Sequence, residues 1–151
     1  MKRFILGMAL MGIGAGPALA DGGIVSVPSR HDVATTTDRL VAALEKRGVT
    51  VFARIDHAAG ARKVGKSLPP TQLVIFGNPK LGTPLMQCAR STGIDLPMKA
   101  LIWRDADGGV WFSYNEARYL DERHGLGECG HVVKKVANAL QSFAGLATRK
   151  E

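Results

Sequence analysis

The chain has 151 residues, with 20 Lys and Arg against 13 Asp and Glu and a formal charge of +7. That length suits one domain with a single core. The cations are scattered, densest at Arg62-Lys63 with Lys66 and at Lys134-Lys135; this lacks the clustered footprint that nucleic acid requires and leaves only a modest attraction to acidic lipid or an acidic partner.

Met1-Lys2-Arg3 is a short positive segment, followed by an apolar run from Phe4 to Ile13, the helix breakers Gly14-Ala15-Gly16-Pro17, and Ala18-Leu19-Ala20. Small residues at −3 and −1 fit signal peptidase, so residues 1–20 are expected to be a signal peptide cut between Ala20 and Asp21. Asp21 is not the cysteine that a lipid anchor needs. The apolar run is too short to span roughly 30 Å of hydrocarbon, and no later stretch offers about 20 apolar residues. A periplasmic or secreted domain over residues 21–151 is expected, with no transmembrane segment. Loss of Lys2 and Arg3 would bring its charge to 7 − 2 = +5.

Residues 23–27 read as a short strand. Asp32 then caps a helix whose apolar positions Val33, Leu40, Val41 and Leu44 recur at helical spacing, ended by Glu45-Lys46-Arg47-Gly48. Residues 50–56 alternate as a strand, with Val51, Ala53 and Ile55 on one face and Phe52 and Arg54 on the other. A short helix over 57–64 stops at Gly65. Leu73-Val74-Ile75-Phe76 is a continuous apolar strand, expected to be central. Residues 77–80 read as a turn and 83–89 as a helical segment. A hairpin follows, 99–104 and 110–115, with Asp107-Gly108 supplying positive φ at its turn. Residues 117–123 form a short helix backed by Gly125. Residues 131–143 form an amphipathic helix with Val132, Val133, Val136, Ala139, Leu140 and Phe143 as its buried stripe. The order predicts an α+β domain: one antiparallel sheet with two main helices over one face.

Cys88 and Cys129 are the two cysteines. In an oxidising compartment such a pair is expected to be a structural disulfide. The alternatives are a redox-active pair or two thiolate ligands, but neither cysteine lies in a C-x-x-C motif.

Asp56-His57 ends one strand, and a carboxylate beside an imidazole can orient a tautomer, shuttle a proton or bind a metal. Neighbours on a strand point apart, however, and either residue can simply cap the following helix. Gly77-Asn78-Pro79-Lys80 leaves another strand end; its residues suit a turn, or Asn78 could point its amide into a cleft beside His57. Tyr114 and Asn115 close the last strand, with the Tyr114 ring expected in the core. These five, Asp56, His57, Asn78, Tyr114 and Asn115, are the candidate ligand-binding residues. His31, His57, His124 and His131 show no zinc spacing, so no metal site is assigned; His57, Met86 and His124 are its weak candidates. No nucleophile elbow, P-loop or dinucleotide fingerprint occurs after residue 20.

Several strings resemble family 302 of the domains of unknown function: Val51-Phe52-Ala53-Arg54-Ile55-Asp56-His57, Leu68-Pro69-Pro70-Thr71, Ile75-Phe76-Gly77-Asn78-Pro79, Gly82-Thr83-Pro84-Leu85-Met86, Ile94-Asp95-Leu96-Pro97 and the strand from Trp111 to Asn115. They follow in order over nearly all of residues 21–151. The resemblance implies a small α+β domain grouped with TATA-box-binding-protein-like folds, a matter of shape that says nothing of DNA. The first functional expectation is a non-catalytic domain of the cell envelope that binds a small ligand or protein partner. The second is a periplasmic metal, haem or redox-associated binder. The third is a hydrolase-like or isomerase-like enzyme using Asp56 and His57 with Asn78 and Tyr114. The sequence assigns no cofactor and no oligomeric state.

Overall fold

The computed structural model describes residues 22–150. The predicted signal segment lies outside the described residues. Five strands form one antiparallel sheet: β1 (Ile24–Ser29), β2 (Thr50–Asp56), β3 (Thr71–Gly77), β4 (Met98–Arg104) and β5 (Val110–Asn115), in the order β1-β5-β4-β3-β2. The expected apolar strand is β3. It is interior, between β2 and β4, while the centre of the five belongs to β4.

Helices α1 (Val33–Lys46) and α5 (Gly130–Thr148) cover one face. Side chains alternate along a strand, so Val74, Phe76, Ala100, Ile102, Phe112 and Tyr114 face the helices and form one core with Leu40, Leu44, Val136, Leu140 and Phe143. The α1 start follows its capping residue: Asp32 Oδ1 accepts from the Thr35 amide at 2.7 Å. At its end Gly48 takes φ of 66°, a conformation that suits glycine. Two buried residues on α1, Thr36 and Thr37, were not part of the apolar stripe. Their hydroxyls donate to the carbonyls of Asp32 and Val33, so burial leaves no donor unpaired. Helix α5 runs five residues beyond the expected end, because Ala144, Ala147 and Thr148 continue its buried side.

Three further local readings are corrected. A bulge in β2 leaves Phe52 without a partner, between the pairs Val51–Phe76 and Ala53–Ile75. One extra residue moves every later side chain to the other face. Val51 therefore faces the helices with Phe76, whereas Ala53 and Ile55 face away. Arg54 turns toward α1 and pairs with Asp38. At the β4–β5 turn only Gly108 has positive φ, not Asp107. Asp105 organises that turn, accepting from the amides of Asp107 at 3.0 Å and Gly109 at 2.7 Å. Finally, residues 77–80 are not a free turn: helix α3 (Pro79–Cys88) begins at Pro79 rather than at residue 83. Proline suits a first helical position, and this segment holds two. Pro79 takes that position and Pro84 lies inside the helix.

The remaining helices are short: α2 (His57–Lys63) and α4 (Ala117–His124), with 3₁₀ turns at Arg90–Ile94 and Gly127–Cys129. Cys88 and Cys129 stand at disulfide distance, with Cα atoms 6.5 Å apart, and join the end of α3 to the turn before α5.

Candidate functional site

A cavity of about 370 Å³ lies between α3, α5 and one end of the sheet. Phe76 and Met98 form its floor, Leu81, Leu85 and Met86 one wall, and Val136, Leu140 and Phe143 the other. Phe52, Gly77 and the Leu96-Pro97 pair also line it. The bulge puts Phe52 here, a residue 57% exposed. The cavity lining contains no charged side chain; its polar side chains are Asn78 and Thr83.

Asn78 caps α3: its Oδ1 accepts from the Lys80 amide at 2.9 Å. An amide hydrogen requires the carboxamide oxygen on that side, so the Asn78 NH₂ group is turned away from the Lys80 amide. Asn78 thus caps a helix and lines a cavity at once.

The structure does not bring the other four binding candidates to Asn78. Strands β2 and β3 are antiparallel, so Asp56 pairs with Gln72 while Thr50 pairs with Gly77. Asp56 and His57 therefore lie at the opposite end of β3 from Asn78, about 20 Å away at roughly 3.4 Å per residue. Asp56 Oδ1 accepts from the Ala59 amide at 2.8 Å and caps α2, and His57 is the first residue of that helix and exposed. Tyr114 is in the core, on the helix-covered face, its ring edge-on to Phe112 at 6.0 Å. Burial raises the Tyr114 hydroxyl pKa, with a smaller push from Glu116. Asn115 is exposed on the opposite face, paired with Ile24. The acid–base group Asp56, His57, Asn78 and Tyr114 is therefore not brought together.

The three weak metal candidates are likewise separate. His57 is at the far end, Met86 lines the apolar cavity, and His124 is engaged elsewhere. Among the described residues no three His, Cys, Asp or Glu gather.

The His124 partners went unread in the sequence. Its Nε2 lies 2.6 Å from Asp95 Oδ2, and its Nδ1 2.9 Å from the Ser91 hydroxyl. Arg123 also reaches Asp95, at 3.4 Å, and donates to the Tyr119 hydroxyl at 2.7 Å. The His124 side chain is 4% exposed. Hydroxyl, imidazole and carboxylate in line resemble a catalytic order. Ser91, however, does not line the cavity, and its hydroxyl lies on the α4 side of the 3₁₀ turn. The network ties that turn, and with it the cavity residues Leu96 and Pro97, to α4. Asp95 and His124 are 29 residues apart, so no spacing rule could have paired them.

A model of the family described as "Domain of unknown function DUF302" matches residues 25–143. Curated relatives include "Fluoride-specific ion channel FluC 1" of Brucella suis biovar 1, 48% identical over 132 residues, which covers 87% of this chain and 51% of that one. "Fluoride-specific ion channel FluC 2" of Brucella melitensis biotype 1 is also 48% identical, over 48% of its length. The chain spans about half the length of the curated relatives it matches. The crystal structure of an uncharacterized conserved DUF302 protein from Bacillus stearothermophilus superposes with a TM-score of 0.76 at 15% identity, covering 85% of this chain and all of that one.

Proposed function

The chain belongs to the DUF302 family, and on that premise we propose that it is a non-catalytic module of the cell envelope that holds a small, largely apolar ligand in the cavity between α3 and α5. One observation carries this reading. The cavity volume of about 370 Å³ lies in the range of about 300–1,000 Å³ usual for small-molecule sites, and its lining is hydrocarbon, thioether and aromatic apart from Asn78 and Thr83. Such a lining gains roughly 0.8 kcal/mol for each methylene it removes from water. It offers an ionic headgroup nothing, so the ligand is an apolar chain or ring with at most one neutral acceptor, facing the Asn78 NH₂ group.

The test is displacement of an environment-sensitive naphthylamine dye by alcohols and esters of graded chain length. Affinity should rise with each methylene until the cavity is full, and Leu140→Trp, which fills it, should abolish dye binding. Dye binding that Leu140→Trp leaves intact would remove the cavity from the account.

The Brucella relatives favour a second reading. A stretch nearly half identical to this chain makes up about half of proteins named as fluoride-specific ion channels. The module would then accompany a membrane protein in fluoride handling. It would not hold fluoride in this cavity, which has no cation to meet it. Growth of a deletion strain in fluoride decides this reading: unchanged tolerance sinks it.

A further inference from the structure

The helices cover one face of the sheet. The other face carries Ile24, Ile55, Leu73, Leu101 and Trp103, and neither α1 nor α5 packs over it. We propose that this open face joins two copies of the chain, sheet against sheet, about a two-fold axis parallel to β4.

Three properties of the face favour a second copy. The first is polar satisfaction. Ser26 and Ser113 share a hydrogen bond of 2.8 Å, and the Trp103 indole donates to Ser113 at 2.9 Å. The Trp111 indole donates to Asp105, and the Lys99 ammonium to the carbonyls of Asp95 and Pro97. The face can lose its water without orphaning these donors, which is the usual cost of covering polar groups.

The second is charge. Without Lys2 and Arg3 the domain carries 7 − 2 = +5, so copies repel one another in most orientations. Among the described strand residues facing this side, Lys99 is the one charged side chain, and its ammonium is drawn back to the chain's own carbonyls. This is a face through which two basic molecules can meet.

The third is shape. Across the middle of the sheet, from β1 to β2, the row of paired residues is Ser26, Ser113, Leu101, Leu73 and Ile55. It is small on the β1 side and large on the β2 side. A shallow recess of about 510 Å³ runs from the small half, where Ile24, Ser26, Ser113 and Asn115 line it, past Leu101 and Trp103 to Leu73 and Lys99 on its far side. A two-fold along β4 sets Leu73 of one copy over Ser113 of the other, and Ile55 over Ser26, so each recess receives the other copy's large side chains. Five strands about 4.8 Å apart and six residues long span roughly 24 by 20 Å. The surface removed from the two copies is then on the order of 1,000 Å², the lower bound for a specific interface. A reversible dimer follows.

The experiment is sedimentation equilibrium of the purified protein, with Ile55→Lys and Leu101→Glu as variants. Each substitution occurs twice in a symmetric dimer and should weaken it by roughly tenfold or more, with dye binding in the cavity on the opposite side unchanged. Ile55 is 38% exposed, so Ile55→Lys keeps the fold even if Leu101→Glu does not; circular dichroism of both variants checks this. A wild-type monomer at every concentration overturns the proposal, as does a dimer that a folded Ile55→Lys leaves intact. A monomer that floats with lipid vesicles and shifts its Trp emission would give the face to a membrane instead, and so also overturns it. Loss of dye binding alone would count against the cavity reading and leave the dimer standing.

Discussion

Phe52 and Gly77 meet across the first rungs of the β2–β3 pair: a Cβ on Gly77 would stand 3.4 Å from the Phe52 ring and 3.4 Å from Pro97. The bulge supplies the ring, and glycine supplies the room beneath it. Both residues line the cavity. Gly77→Val adds an isopropyl group whose Cβ alone already stands at contact distance, so it should displace Phe52 or Pro97 and lower dye affinity. Phe52→Ala should also lower affinity, by removing apolar contact, while a residue 57% exposed contributes little to stability. Chemical denaturation alongside dye titration separates the two: Gly77→Val moves both readouts, Phe52→Ala the second alone.

The Cys88–Cys129 pair closes a separation of 41 residues. A loop of that size constrains the unfolded chain by about 4 kcal/mol in the entropic model, and native bridges commonly deliver about 2–4 kcal/mol. Urea denaturation of Cys88→Ser/Cys129→Ser should show a loss in that range, matched by wild type in reductant. Equal stability with and without reductant would mean that the two sulfurs are not bonded in solution.

His124 holds Asp95 and Ser91 from a ring that is 4% exposed. His124→Ala removes both bonds and leaves Asp95 with Arg123 alone, which should cost about 1–3 kcal/mol. Hydrogen exchange should quicken over residues 91–97 and in α4, while β1 and β5 stay protected. Uniform quickening across the chain would show that the network does not act locally on the cavity wall.

The Asp105 carboxyl is held below its ordinary value of 3.8, first by the Trp111 indole and then, against some opposing burial, by the Gly109 and Asp107 amides. A lowered folded-state value adds stability that is fully present above the unfolded value and is lost as the pH falls through the folded one. Trp emission should therefore titrate at a pH below the usual carboxylate range. Asp105→Asn should abolish that transition; its persistence would assign it to another carboxylate.

Asp56 and His57 separate a capping role from a chemical one. Asp56→Ala removes the bond to the Ala59 amide and should cost about 1 kcal/mol. Asp56→Ser should recover most of it. His57→Ala, at an exposed first helical position, should change stability little and leave dye binding untouched. A large effect of His57→Ala on binding would return this strand end to the functional site.

The sequence by itself determined most of the elements, because their causes are local. Alternation marked β2, the Asp107-Gly108 turn marked the β4–β5 hairpin, the apolar run marked β3, and Asp32, Gly48 and Gly125 marked helix ends through backbone rules that involve only near neighbours. The family strings likewise pointed to the DUF302 assignment. Tertiary structure decided the site. Whether His57 lies near Asn78 depends on the relative direction of β2 and β3, and their antiparallel pairing sends the two to opposite ends. Whether Phe52 lines a cavity depends on a bulge fixed by its pairing with β3, not by its own neighbours. His124 meets Asp95 only because α4 packs on the 3₁₀ turn at Arg90–Ile94. Each of these is a contact between residues distant in the chain, and side-chain pattern reports which face a residue prefers, not what it will find there.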